Sequence, residues 1–317
     1  MKVAVLIMSS GVEPSLRNEN AMKETFIKDA VDLMSKNMLN NTYDFYFYSY
    51  TNSIPENSQC CCENIAQHIK YLHFYGKESI YNTFEKTISA LQYIQDDYQW
   101  YVRINISAFL NMRLLDVMIK IFNLYPNKVY CNAINSYITD EYYYNDLYPR
   151  GDMIIFSKKT KNDILSVSSK YIRCDIDDKN RINIPHVDDC LIGLCLIDIF
   201  GKKYYEHLQM VRYNFLPEIT LQESQINKFA ICSRVKTTPP GEYSGYSWED
   251  NDFRKSDVNK MYLLQQYFSS LTYNDISIQS LINNVIDINN LQRQTLCVML
   301  NQATIPQLIQ YIKEKRG

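Results

Sequence analysis

Two neighbouring carboxylates, Asp188 and Asp189, follow a polar stretch and open an apolar run that continues to Phe200. Such a pair has two readings. At a helix amino terminus, acidic side chains complement the positive end of the helix dipole. A carboxylate held there can also take a proton from an attacking hydroxyl. A second set lies on the segment Tyr101-Val-Arg-Ile-Asn-Ile-Ser107. Read as a strand, it puts Arg103, Asn105 and Ser107 on one face and Val102, Ile104 and Ile106 on the other. Alternation of this kind is ordinary for a half-exposed strand whose polar residues face water. A third set, Arg234, Lys236, Arg254 and Lys255, flanks the Pro/Gly-containing stretch TTPPGEYSGYSWED (residues 237–250). Cations beside a loop suit a leaving group that gains negative charge as it departs; a solvated basic loop is the alternative.

Other chemistries lack their signatures. The eight glycines are far apart and form neither GxGxxG nor GxxxxGK[ST], so no glycine cradle holds a phosphate. GxSxG and HExxH are absent. The four histidines make no i, i+4 ligand pair, and His68 and His73 read as surface or half-buried helix residues. Cys60, Cys61 and Cys62 are contiguous, whereas paired metal ligands usually have two residues between them. The remaining six of nine cysteines are scattered, mostly through apolar stretches, as reduced buried thiols are.

These residues need a scaffold. Residues 2–8 read as a buried strand ending in Ser9, Ser10 and Gly11, and ligands of open α/β sheets bind outside the carboxyl ends of strands. Apolar spacing predicts a helix over 22–34, a strand over 44–50, a polar loop over 51–64 and a helix over 79–94. A strand at 100–106, a helix at 111–124 and strands at 129–134 and 152–156 follow, then helices at 163–168 and 190–200. Ser256 and Asp257 read as caps of a helix over 256–268, and 274–315 as short helices. The alternation of strand and helix predicts an α/β fold.

The bulk numbers bound the partners. The 317 residues are 46% hydrophobic and 21% charged, enough for one large domain or for one domain plus a smaller appendage. A net charge of −2 gives no pervasive basic field, so nucleic acid is permitted as a partner but not favoured. No secretory leader or membrane span of about 20 apolar residues is visible. The expectation is a cytoplasmic protein, with peripheral membrane attachment left open.

Taken in order, the segments resemble glycosyltransferases of the GT-A fold, in particular the beta-1,3-galactosyltransferase-type group and its bacterial relatives. The carriers are residues 2–8; Tyr81-Asn-Thr-Phe-Glu-Lys86-Thr; Tyr101-Val-Arg103-Ile-Asn105-Ile-Ser107, like a relaxed R-T-N-x-S form of the DxD strand; Gly151-Asp-Met-Ile-Ile-Phe-Ser157; and Val187-Asp188-Asp189-Cys-Leu-Ile-Gly193. The resemblance implies a mixed, mostly parallel GT-A-like sheet flanked by helices over residues 1–270, with a small helical extension over 271–317. It implies transfer of a sugar from a nucleotide donor, UDP-linked before others, to a glycan or other hydroxyl acceptor, with inversion. Asp189 would be the base and Asp188 its support. Ser9, Ser10, Lys86, Arg103, Asn105, Ser107, Arg234, Lys236 and Arg254 would meet the donor, and Ser157 and Trp248 the acceptor. The family's DxD acids bind Mn²⁺ or Mg²⁺; here Arg103 and Asn105 stand in their place, so either Asn105 offers a neutral oxygen ligand or Arg103 takes over the charge neutralisation. The alternatives are a non-catalytic relative that binds saccharide or protein, and a phage-type enzyme acting on modified DNA.

Overall fold

The computed structural model describes residues 1–9, 16–54, 60–76, 78, 82–94, 97–132, 134–136, 147–149, 152–172, 188–237 and 251–286. In chain order the elements are β1 (Lys2–Met8), α1 (Leu16–Ser35), β2 (Thr42–Thr51), β3 (Cys60–Ala66), β4 (Ile69–Tyr75), α2 (Thr83–Tyr93), β5 (Trp100–Asn105), β6 (Ala108–Leu110), α3 (Met112–Phe122) and β7 (Val129–Cys131). There follow β8 (Ile134–Ser136), β9 (Leu147–Pro149), β10 (Met153–Ser157), α4 (Lys158–Ser168), α5 (Asp188–Phe200), β11 (Leu208–Met210), β12 (Tyr213–Phe215), β13 (Cys232–Arg234), α6 (Asn251–Ser269) and α7 (Ile278–Val285).

The main sheet runs β11-β7-β10-β5-β1-β2-β4-β3. Its centre, β5-β1-β2-β4, is parallel. β10 enters antiparallel between β5 and β7, β11 is parallel to β7, and β3 closes the other edge antiparallel to β4. This is the α/β fold that the alternation predicts, with the mixed sheet and flanking helices that the resemblance implies.

β1 shows why helices must cover both faces. Val3 to Ile7 are all 0% exposed. Alternation sends Val3, Val5 and Ile7 into a layer with α1, α3, α6 and α7, through Phe26, Leu115, Met261 and Leu281. It sends Ala4 and Leu6 into the opposite layer with α2, α4 and α5, through Ile88, Ile164 and Leu196. An apolar run without polar alternation has no face to give to water. α7 belongs to the first layer: Leu281 and Val285 are buried there, and the Arg212 amide donates to the Val285 carbonyl at 2.7 Å.

Two segments differ from the sequence expectation. The polar loop expected over 51–64 contains most of β3. As an edge strand with largely exposed side chains, β3 carries no apolar pattern to betray it. His73 is on β4, stacked on Tyr71 with centroids 4.1 Å apart, and not on a helix. His68 lies in the β3–β4 turn at φ 64° and bonds Asp44 at 2.6 Å. The regions expected as a loop at 238–250 and as helices beyond 286 lie outside the described residues.

A buried carboxyl joins α1 to α6. Asp29 is 9% exposed; burial foremost, with Asp32 adding, pushes its pKa up to about 7, against a bond from Gln265 on α6 and the charge of Arg113. Between roughly pH 4 and 7 the folded state therefore keeps a proton that the unfolded chain has lost, so stability falls as pH rises through that window. The expected result is a melting temperature that drops from pH 5 to pH 8, and a slope that Asp29→Asn flattens by stabilising the protein at pH 8. Three pKa units correspond to about 4 kcal/mol as an upper bound. Parallel melts of both proteins across that range check it; equal slopes refute it.

Candidate functional site

The rim where β1, β2 and β5 end gathers most of the described candidate residues. Ser9 follows β1 and is buried. Its amide donates to the Tyr48 carbonyl at 3.0 Å, and its Oγ to Glu19 of α1 at 2.8 Å. Its carbonyl accepts from Lys86 Nζ at 2.9 Å. Lys86, on α2, is 1% exposed and also ion-paired to Glu78, whose other oxygen accepts from the Tyr50 amide at 3.0 Å. Burial pulls the Lys86 pKa down and pushes that of Glu78 up, and each partner opposes the shift of the other. Lys86 thus ties the exit of β1 to that of β2.

Arg103 corrects the reading of β5 as a strand with one wet face. It is 0% exposed, and its Nη2 forms an ion pair with Asp188 Oδ2. The same nitrogen lies 3.3 Å from Met8 Sδ. The face that alternation assigns to solvent is covered by α5. Asp188, the first residue of α5, also accepts from Thr87 Oγ1 at 3.1 Å, and its amide donates to Thr83 Oγ1 at 3.3 Å. Tyr48 contacts Thr87 Oγ1 at 3.0 Å, and burial pushes its phenol up to about 12. For Arg103, burial acts to lower the pKa, but Asp188, Tyr48 and Asp189 outweigh it and hold it above the ordinary value. The pair is a charged rivet between the central sheet and the amino end of α5. Asp189, the next residue, is half-buried and near enough to act on Arg103.

Asn105 ends β5. Its amide donates to the Asp152 carbonyl at 3.2 Å, and its Oδ1 is buried without a hydrogen-bond partner. Ser107 lies beyond β5 in a turn, where its carbonyl accepts from the Val235 amide at 3.1 Å. Arg234, on β13, donates from Nη1 to both oxygens of Asp152 at 3.1 and 3.2 Å. Asn132, just after β7, donates from Nδ2 to Asp152 Oδ2 at 3.2 Å. Asp152 and Asn132 were not legible as site residues. A polar residue at the end of an apolar strand reads as punctuation, and only the antiparallel insertion of β10 brings these two together.

Other candidates lie elsewhere. Ser157, expected near an acceptor, occupies the far end of β10 opposite Trp100 and caps α4 by accepting from the Thr160 amide. Five residues from Asp152 at about 3.3 Å each place it roughly 16 Å away, at the other rim. Ser10, Trp248 and the side chain of Arg254 lie outside the described residues. Lys236 is half-buried after β13. Ser256 and Asp257 are interior to α6 and do not cap it. Asp257 instead accepts from the Thr237 amide and hydroxyl, both at 2.7 Å, and Lys260 reaches Thr237 Oγ1 at 2.8 Å. These bonds tie the chain before residue 238 to the helix after 250.

A divalent cation does not fit the described donors. Hard cations want several oxygen ligands, mostly charged. Here Arg103 occupies one of the two positions where the resemblance would have acids, and Asn105 offers one neutral oxygen at the other. Among the described residues, no three His, Cys, Asp or Glu side chains are grouped to hold a metal. At the opposite edge, burial and the neighbouring Cys62 and Cys61 push Cys60 up to about 12, which keeps that thiol protonated.

Gly193 has a packing reason. A Cβ there would stand 2.5 Å from Cβ of Tyr148 on β9, closer than side-chain carbons approach. Gly193→Ala is therefore expected to push α5 and the β8–β9 hairpin apart and to cost about 1–3 kcal/mol. Denaturant unfolding checks this, and an unchanged midpoint refutes it.

No family model and no curated protein matches the chain. Among solved structures, a glycosyltransferase involved in glycosylation of the major capsid of PBCV-1 aligns with 83% of this chain and 100% of its own at 9% identity and a TM-score of 0.40. The glycosyltransferase GlyE of Streptococcus pneumoniae TIGR4 aligns with 87% of this chain and 66% of its own at 8% identity and a TM-score of 0.39. 4-Diphosphocytidyl-2C-methyl-D-erythritol synthase from Anaerococcus prevotii aligns with 59% and 85% at 14% identity and a TM-score of 0.29. Likenesses this distant carry no functional argument, which must come from the residues. No described helix is long and apolar enough to cross a membrane.

Proposed function

We propose that the protein transfers a sugar from a nucleotide-sugar donor to a hydroxyl acceptor with inversion, and that Asp189 is the general base. The observation that carries this is the buried Arg103–Asp188 pair. It fixes the first turn of α5 against β5, and the adjacent, half-buried Asp189 acts on Arg103, two residues before β5 reaches the carboxyl rim of the sheet. That rim is where α/β sheets bind ligands. In the proposed step Asp189 takes the acceptor's hydroxyl proton. The acceptor oxygen bonds to the anomeric carbon as its bond to the nucleotide diphosphate breaks, and the electron pair leaves with the diphosphate. The helix amino end favours the carboxylate form before the step. Lys236 is the candidate to steady the departing charge. Asp188 acts by positioning, since its carboxylate is committed to Arg103 and Thr87.

One observation favours the second reading, a saccharide- or protein-binding relative without turnover. Lys86, Arg103 and Arg234, three of the five cations expected to meet the donor, are each paired with a carboxylate of the protein itself. The modified-DNA acceptor finds no support of this kind. A thermal-shift screen against UDP-, GDP-, dTDP- and CMP-sugars, with and without Mn²⁺, separates the readings. A ligand present at 100 times its Kd stabilises the fold by about 2.7 kcal/mol. A shift with one nucleotide class, unchanged by Mn²⁺, is the expected result. No shift with any of them, on a cooperatively melting sample, would sink nucleotide-sugar dependence.

A further inference from the structure

We infer that the rim formed by β5, β7 and β10 holds a subsite for saccharide hydroxyl groups, built from Asn132, Asp152 and Arg234 and continued by Asn105. The inference deepens the glycosyl-transfer reading and rests on it for the source of the sugar.

The starting point is an unsatisfied acceptor. Asn132 is 0% exposed, and its Nδ2 is used on Asp152, yet its Oδ1 has no hydrogen-bond partner. The Oδ1 of Asn105, at the end of the strand beside β10, is in the same condition. Buried carboxamide oxygens without donors are rare and destabilising, so each calls for an occupant. Asp152 links the two positions: its backbone carbonyl accepts from the Asn105 amide and its carboxylate from Asn132 Nδ2. Arg234, with 23% of its side chain exposed, spends Nη1 on Asp152, and its guanidinium has further donors to offer.

The donor and acceptor inventory selects the ligand. The carboxamide oxygens require hydrogen-bond donors, which the diphosphate of a nucleotide sugar lacks at neutral pH, and any phosphate would also meet the carboxylate of Asp152. A metal cation would meet the guanidinium of Arg234. A hydroxyl group donates to the carboxamide oxygens and accepts from the guanidinium, and adjacent hydroxyls on one ring can do both at once. Buried polar groups of this kind are also what lets a site reject an analogue that lacks a hydroxyl, because rejection leaves them unpaired. The sugar can come from the donor or from the acceptor.

The test is calorimetric titration of wild type and Asn132→Leu with UDP, UDP-glucose, GDP, GDP-mannose and the methyl glycosides of glucose and mannose. The expected variant folds, binds the free nucleotide diphosphate as wild type does, and loses about tenfold or more in affinity for a sugar-bearing ligand. Loss confined to nucleotide sugars assigns the subsite to the donor; loss confined to methyl glycosides assigns it to the acceptor. Unchanged affinity in both arms, with a melting temperature equal to or above wild type, overturns the subsite and leaves a structural pocket. Wild type that binds none of these nucleotides, nor the dTDP- and CMP-sugars of the thermal-shift screen, defeats the glycosyl-transfer reading separately. In that case glycoside binding lost in the variant still supports the subsite, and absent glycoside binding overturns it. Should Asn132→Leu fail to fold, Asn132→Ala removes the same amide atoms without adding a branched carbon.

Discussion

Asp189→Asn is expected to slow glycosyl transfer by about 10²–10⁴-fold while nucleotide affinity and melting temperature stay at wild-type values. The substitution keeps the shape of the side chain and removes its capacity to take a proton. Asp189 is half-buried on the first turn of α5, so neither a cavity nor a buried orphan charge follows from the change. Its neighbour behaves differently because the Asp188 carboxylate is enclosed between Arg103 and Thr87. The two adjacent acids should therefore separate cleanly, with position 189 felt in kcat and position 188 in stability. Steady-state rates and calorimetric melts on both variants decide it. Full activity in Asp189→Asn would move the base to another residue.

How much of this could be read beforehand depends on whether the information was local. β1, β5 and β10 are apolar runs, and their burial on both faces follows from that fact alone. Helices α1, α3 and α5 are stretches whose apolar spacing or density demands a packed face. β3 and β4 escaped for opposite reasons. β3 is a polar edge strand with little to bury, and β4 places Lys70 and His73 among its apolar residues, which blurs the alternation. Within the site, Asp188 and Asp189 stood out by adjacency, and Arg103 by its place in an apolar strand. Their meeting did not, because it depends on α5 returning across the sheet from a distant part of the chain. The same holds for Arg234, which pairs with Asp152 instead of standing free for a phosphate. Cations chosen from sequence for their charge were chosen without their partners, and the partners decide what charge is left to offer a ligand.

The Arg103–Asp188 pair carries the largest stability effect. Arg103→Leu or Asp188→Asn is expected to destabilise the protein by about 3–5 kcal/mol, a large fraction of what an ordinary domain possesses. The cause is not the attraction lost but the charge left behind. Arg103 is fully enclosed, and without Asp188 its guanidinium would keep Met8 Sδ, the Tyr48 hydroxyl and the charge of half-buried Asp189 but lose the enclosed carboxylate that pairs with it. The double variant Arg103→Leu/Asp188→Leu removes both charges and should recover much of the loss, since well-packed apolar groups often replace a buried pair at little cost. A double-mutant cycle by denaturant unfolding measures this directly. A large favourable coupling energy is expected, whereas additive single effects would mean that the two charges do not depend on one another. Activity then gives the second half of the argument. If the pair serves to hold Asp189 at the rim, the double variant should fold and bind nucleotide yet transfer sugar slowly, because α5 keeps its place only through apolar packing. Wild-type rates in that variant would show that the pair maintains the fold and that Asp189 needs no rivet to stay in position.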